Sequence, residues 1–273
     1  MRGGAHSRRV AEVARRLFCQ ADIPRPILYS ESPLPLRWAT AAMLELEYTA
    51  GSPYARAIRI LLDELGLGYS GSEPASAPTN AQLGADTPTM QVPTLRDGNV
   101  VLWESGVIAE YLLGRTANRP DVTPPLAKAV SHPSREWEDR LLFATIQTLG
   151  TAVTTISQLT WTGVTIPANA HLQRCANRAQ LILTWLESRL EDPEHGFLPG
   201  TLSVQDIFLA CHVRFAEARP LGLTFDMARH PKIDALLGRL DARRSFIDNP
   251  VWWWDPEVVD YTADGTPVYG SGR

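Results

Sequence analysis

Polar and apolar positions alternate through Leu44-Glu45-Leu46-Glu47-Tyr48, the period of a strand with one covered face. Thr49-Ala50-Gly51 turns the chain. The run Tyr54–Leu62 then repeats its apolar residues at helical period and stops at Gly66. Ser52 has the chemistry of an N-cap and Pro53 that of a first helical position. A short second strand is expected near Tyr69. Residues 72–88 read as a loop around Pro74, Pro78 and Pro88, with one helical turn near Ala81-Gln82-Leu83. Val92-Pro93 opens a strand, Thr94-Leu95-Arg96. Asp97-Gly98 is a hairpin signal, and Val100-Val101-Leu102 returns as the partner. Trp103-Glu104-Ser105 leads into a helix whose residues Val107, Ile108, Tyr111 and Leu112 are expected on one buried face.

Beyond this the pattern changes. Residues 117–133 hold four prolines without periodicity and read as a linker. Helical spacing then governs 134–159 through Trp137, Leu141, Leu142, Thr145, Leu149 and Ala152. It governs 170–190 through Leu172, Cys175, Ala179, Ile182, Leu183 and Leu186. After a break at 193–200, Ser203-Val-Gln-Asp206 has capping-box spacing ahead of a helix to about Ala218. His230-Pro231 starts one more helix, to about Arg244. The tail 249–273 lacks periodicity but is aromatic, with Trp252, Trp253 and Trp254 in succession.

Composition narrows the class without naming a chemistry. The 273 residues are 44% hydrophobic and 21% charged, with net charge −4, as in a globular chain of one large or two ordinary domains. There is no dense basic face for nucleic acid and no apolar run approaching the ~20 residues of a membrane span. Cys19, Cys175 and Cys211 lie far apart and read as free thiols in a reducing, cytoplasmic setting. None of the six histidines sits in an HxxxH or HExxH pattern, so no metal site is expected. Residues 1–42 differ, with seven arginines against Glu12, Asp22 and Glu31. Three readings compete for them: a targeting peptide, an ordered arm packed on the body, or an upstream extension from a misassigned start codon. The expectation is the extension, disordered or loosely packed, ahead of Met43.

Two helix starts carry the candidate chemistry. Backbone N–H groups there lack intrahelical partners, and the helix dipole favours a negative group. Glu104 and Ser105 present a polar pair at one start, suited to a bound carboxylate. Ser52 at the other is in its plainest reading a cap. In its sharper reading the hydroxyl sits beside unpaired amides and donates to a thiolate, lowering that thiol's pKa.

At these residues the chain resembles the cytosolic glutathione transferase superfamily. The resemblance rests on Ser52-Pro53-Tyr54-Ala55-Arg56, Gln91-Val92-Pro93-Thr94-Leu95 and Trp103-Glu104-Ser105-Gly106-Val107-Ile108, with strand–helix and hairpin–helix context in order. It implies an α/β N-terminal thioredoxin-like domain at 43–116, a linker at 117–133, and an all-α C-terminal helical domain at 134–248. The aromatic tail, 249–273, follows. It also implies a cis bond at Val92-Pro93, with Val92 backbone groups on the cysteinyl unit of glutathione and Gln91 on the peptide. Glu104 and Ser105 then hold the γ-glutamyl end and Ser52 addresses the sulfur. The residue for the glycine carboxylate is not identifiable. For the second substrate the resemblance points to the first long helix, so Trp137 and Phe143 are expected as walls, with Tyr54 and Trp253 beside them. In the plainer reading the tail tryptophans cover the helical bundle. The Ser203–Asp206 box is a folding signal in that family, which assigns Asp206 to structure.

The function implied is conjugation of the glutathione thiolate to a hydrophobic electrophile, by a serine-type bacterial homodimer serving detoxification. Glutathione-dependent isomerase, etherase or dehalogenase chemistry on the same site is the first alternative. A non-catalytic scaffold is the second.

Overall fold

The computed structural model describes residues 43–72, 87–117, 133–198, 201–252, 258–261 and 267–269. The expectations for 1–42, for a helical turn near Ala81, for most of the linker and for Trp253 and Trp254 lie outside them.

The alternating stretch forms β1 (Leu44–Glu47), with Leu44 and Leu46 buried and Glu45 exposed. It leads into α1 (Pro53–Glu64), which Ser52 caps and Pro53 begins. The chain returns as β2 (Tyr69–Ser72), parallel to β1. β3 (Thr94–Asp97) pairs antiparallel with β1, placing Leu95 opposite Leu46, and β4 (Val100–Leu102) closes the hairpin. The sheet order is β2-β1-β3-β4. This mixed sheet followed by helices is the thioredoxin-like plus all-α architecture that the resemblance implied.

Helix α2 (Ser105–Thr116) follows the hairpin. Its core face is Ile108, Ala109, Leu112 and Leu113, whereas Val107 is 51% exposed. The buried stripe is thus rotated from the one expected. Tyr111 is half-buried, and its hydroxyl donates to Asp97 at 2.6 Å. Arg115 pairs with the same carboxylate, so the hairpin turn is tied to the helix it precedes.

Helix α3 (Glu136–Trp161) is entered through a 3-10 turn at Pro133–Arg135 and packs against α4 (Ala170–Arg189) and α5 (Val204–Glu217). Leu142, Ile146, Leu149, Val153 and Ile156 are its core positions, while Trp137 and Leu141 are exposed. α5 is buried along nearly its whole length because α1 covers it from the other side. α3 and α5 approach closely at Gly150. A Cβ there would lie 2.4 Å from the His212 ring, so only glycine fits.

The chain ends through α6 (Pro231–Asp241), the short α7 (Arg244–Ile247), and a hairpin of β5 (Val258–Tyr261) with β6 (Pro267–Tyr269). The helix expected from His230 to about Arg244 is α6, which ends at Asp241; the short α7 and the strands of the tail were not expected. Strand pairing needs only a few residues of extended backbone, too few to leave a period. No helix among the described residues is long and apolar enough to cross a membrane.

Candidate active-site cleft

The N-termini of α1 and α2 open onto one cleft of about 490 Å³, a volume within the usual range for small-molecule sites. Each predicted contact arrives there by a local rule. The turn after β1 brings Ser52 to the cap of α1, with extended backbone at φ −78° and ψ 121°. Its hydroxyl oxygen accepts the Ala55 N–H at 3.2 Å. That bond uses an oxygen lone pair and leaves the Ser52 O–H free to donate. Its carbonyl accepts the Arg56 N–H at 2.9 Å, as a cap should.

The loop before β3 supplies Met90, Gln91, Val92 and Pro93 to the same cleft. The Val92–Pro93 bond is cis, as the resemblance implied, and Met90 has φ 52°. From the hairpin come Glu104 and Ser105. Glu104 stands at the N-cap of α2 with φ 64° and makes no side-chain cap bond. A positive φ is costly for a residue with a side chain, and such residues gather where function holds them. The first amides of α2 thus have no side-chain acceptor from the cap, and Ser105 is the first helical residue.

Tyr54 also lines the cleft. Burial, then to a lesser degree the charge of Glu104, raises the pKa of its phenol, although Thr151 and Thr154 pull the other way. The group is therefore a neutral phenol at physiological pH. Its ring stands edge-on to His212 at 4.8 Å.

The far wall differs from expectation. Trp137 sits in the first turn of α3 with 79% of its surface exposed and does not line the cleft. Phe143 packs edge-on against Phe208 at 5.1 Å and lies 3.5 Å from the Cβ position of Gly106, beneath the start of α2. It is a packing residue of that helix start and no part of the cleft lining. What faces the cleft from α3 is polar: Gln147, Thr151, Thr154, Thr155, Ser157 and Gln158, ending at Trp161. Sequence reasoning missed this row. Its only signal was a polar stripe at helical spacing, which reads equally as a solvent face.

Gln147 links the two halves of the fold. Its Nε2 donates to Ser105 Oγ at 3.3 Å, and its Oε1 lies 3.4 Å from His212 Nε2. His212 is fully buried, and burial lowers its pKa to about 3. The ring is therefore neutral, and with Nε2 protonated it donates to Gln147.

The Ser52 loop has a second brace. Arg219, 6% exposed, donates to Gly51 O at 3.0 Å and to Trp252 O at 2.6 Å. Its guanidinium stacks 3.7 Å above the Phe215 ring, and Phe215 itself lines the cleft. In α1, Arg56 donates to Asn249 O at 2.7 Å. The tail from Asn249 to Trp252 is thus fastened to the turn that presents Ser52.

Residues 46–120 match the family model described as glutathione S-transferase, N-terminal domain, and residues 169–239 the one described as glutathione S-transferase, C-terminal domain. Together the two matches span more than half of the chain. No curated protein sequence matches it significantly. Among solved structures, the fold is similar to a glutathione S-transferase from Methylobacterium radiotolerans in complex with glutathione sulfonate. The identity is 21%, over 76% of this chain and 94% of that one, with a TM-score of 0.63. It is similar to a glutathione S-transferase from Methylobacillus flagellatus KT with GSH bound, at 20% identity over 76% and 98% and a TM-score of 0.63. A glutathione transferase family member from Pseudomonas fluorescens Pf-5, with bound glutathione, matches at 22% identity over 76% and 98%, with a TM-score of 0.61. At such identities the likeness is one of fold. The two domain models, matched in chain order on that fold, make this chain a member of the glutathione S-transferase superfamily.

Proposed function

We propose that the protein is a serine-type glutathione transferase, joining the glutathione sulfur to a small electrophile. One observation carries the reading: Ser52, the Val92–Pro93 backbone and the Glu104–Ser105 pair line a single cleft between two helix N-termini. In this reading glutathione lies along it from its γ-glutamyl end to its sulfur. Its γ-glutamyl amino group pairs with Glu104, and the neighbouring carboxylate takes Ser105 and the free amides of α2. The cysteinyl unit lies along Val92 and Gln91, which brings the sulfur toward the open Ser52 O–H. Hydrogen bonding to a thiolate stabilises the charged form and so raises the fraction of nucleophile at neutral pH. The thiolate then forms a carbon–sulfur bond, and the leaving group departs with its electron pair. Trp161 and Phe215 offer apolar surface for the electrophile.

Losing one hydrogen bond to a charged group costs about 1.5–3 kcal/mol, so Ser52→Ala should lower turnover by roughly ten- to a hundred-fold. Retention on immobilised glutathione should survive. Conjugation of a general aryl halide measures the first effect, and turnover unchanged in the variant would remove Ser52 from the role.

We further propose a cytoplasmic homodimer. The reduced, buried Cys175 and Cys211 fit such a compartment. Val107 on α2 and Trp137 and Leu141 on α3 are exposed apolar residues, on helices joined by the Arg140–Glu110 ion pair at 3.2 Å. A second copy covering them accounts for their exposure. Sedimentation should give a dimer, and Trp137→Glu with Leu141→Glu should yield monomers.

A further inference from the structure

The α3 wall carries a specificity of its own. Gln147 touches Ser105, and the Tyr54 hydroxyl lies 3.4 Å from Thr151 Oγ1. Tyr54 stands two residues after Ser52. The helix therefore runs from the γ-glutamyl grip past the sulfur position, and Thr154, Ser157 and Trp161 lie further along. At 1.5 Å per residue, Ser157 is about 9 Å beyond Thr151, where the second substrate must sit.

The hydroxyls on this wall are not equivalent. Thr154 Oγ1 donates to Gly150 O at 2.8 Å, and Thr155 Oγ1 donates to Thr151 O at 2.7 Å. With each hydrogen committed to a backbone carbonyl, these side chains offer the cleft oxygen lone pairs only, and at Thr154 the Tyr54 phenol engages one of the two. Ser157 is different. It lines the cleft at 1% exposure, and its hydroxyl is buried with no hydrogen-bond partner. A buried hydroxyl left unpaired is a standing cost, uncommon enough to need a reason. The reason lies one turn away, because residues three apart on a helix are neighbours. Thr154 supplies an acceptor and Ser157 a free hydroxyl beside it, which together match one substrate O–H. Among the described residues that line the cleft, Glu104 is the only charged one.

Resting on the glutathione transferase reading above, we infer that Thr154 and Ser157 form a hydroxyl-recognition subsite. Its substrate class is neutral, ring-hydroxylated electrophiles: the substrate O–H donates to Thr154 Oγ1 and accepts from Ser157, while the ring rests near Trp161. An anionic electrophile finds no described cation there.

The test uses the full chain with glutathione and 4-phenylbut-3-en-2-one, its ortho-, meta- and para-hydroxyphenyl forms, and its para-carboxyphenyl form. In each case the thiolate adds to the β-carbon and the α-carbon takes a proton from water. kcat/KM is divided by the uncatalysed rate of the same enone, which cancels intrinsic reactivity. At least one hydroxylated isomer should exceed the parent enone about tenfold, and the carboxylated form should fall below it. In Ser157→Ala, and in the near-isosteric Thr154→Val, the ratio of hydroxylated to parent enone should drop to about one. A ratio near one for all three isomers in the unaltered protein, or a ratio that Ser157→Ala does not change, overturns the subsite. A melting temperature for Ser157→Ala below that of the unaltered protein would show the hydroxyl already partnered, and also overturns it.

Failure of the catalytic reading is distinguishable. If no enone reacts, calorimetry on the glutathione-saturated protein compares the saturated hydroxyphenyl butanones with 4-phenylbutan-2-one. About tenfold tighter binding of one hydroxylated form, lost in Ser157→Ala, sustains the subsite without the reaction. Equal affinities reject it.

Discussion

Two helix starts in this molecule use the same residue for opposite ends. Ser52 caps α1 and Ser203 caps α5, and each hydroxyl oxygen accepts an N–H three residues on at 3.2 Å. What differs is the side chain at that third position. At α5 it is Asp206, which accepts the Ser203 O–H and the Ser203 N–H at 2.8 Å each and the Phe197 N–H at 2.9 Å. The box is closed, fully buried, and sealed by Gly196, where a Cβ would lie 2.5 Å from the carboxylate. At α1 it is Ala55, which returns nothing, so the Ser52 proton remains open to a half-exposed cleft. A capping serine becomes available for chemistry when its box is left incomplete. The difference lies in one residue and in which side of the fold the helix start faces.

The largest effect should come from opening the closed box. Asp206→Ala strands the Ser203 O–H and N–H and the Phe197 N–H in the interior, and each buried donor left unpaired costs about 1–3 kcal/mol. A loss of about 3–5 kcal/mol on that scale is expected in denaturant unfolding. A loss under about 1 kcal/mol would mean that water or a neighbouring group satisfies these donors, and that the box is not closed in the sense argued.

The two buried titratable groups of α5 pull stability in opposite directions with pH. Burial lowers His212 to about 3, from an unfolded value near 6.5. Its contribution is whole above pH 6.5 and is lost as pH falls toward 3, because the unfolded chain takes the proton first. Burial raises Asp206 to about 6, from 3.8 in the unfolded chain, against the hydrogen bonds from Phe197 and Ser203. Its contribution is whole below pH 3.8 and is lost as pH rises through about 6. From about pH 4 to 6 the two slopes oppose each other. His212→Gln keeps an amide donor toward Gln147 and removes the titration. Subtracting the variant's unfolding free energy from that of the unaltered protein should leave a difference that shrinks as pH falls below 6.5. A difference independent of pH would show that His212 is not held neutral by burial.

The sequence made the first half of the site legible because its determinants are local. Ser52-Pro53, Asp97-Gly98 and Glu104-Ser105 act within one turn of backbone, so a cap, a hairpin or a helix start can be read where it is written. The Ser203–Asp206 box was legible for the same reason. The wall on α3 was not. Thr151, Thr154 and Ser157 line a cleft only because α1 and the β3 loop stand across from them, and a polar stripe facing a cleft is spelled like one facing water. Trp137 failed in the converse way. The resemblance placed it on the wall of the second-substrate pocket, but it stands in the first turn of α3, 79% exposed and away from the cleft. Arg219 was invisible too, since its guanidinium ties Gly51 to Trp252, segments far apart in sequence.

The smallest effect sharpens the comparison most. Replacing either capping serine by alanine removes the same bond to the same kind of amide, so caps alone would predict equal losses of about 1 kcal/mol. Ser203→Ala should cost more, about 2 kcal/mol, because Asp206 loses a donor in the interior. Ser52→Ala should cost about 1 kcal/mol, the ordinary loss of a cap, since no second buried partner is left without its donor. The order must invert in the conjugation assay. There Ser203→Ala should keep the turnover of its folded fraction, while Ser52→Ala loses roughly ten- to a hundred-fold. Measuring stability and turnover on the same two variants separates the roles, because a residue that serves only as a cap cannot weaken catalysis more than it weakens the fold. If Ser52→Ala proved the more destabilising and the less harmful to turnover, the open box at α1 would be an ordinary cap, and thiolate activation would have to be sought in the neutral phenol of Tyr54.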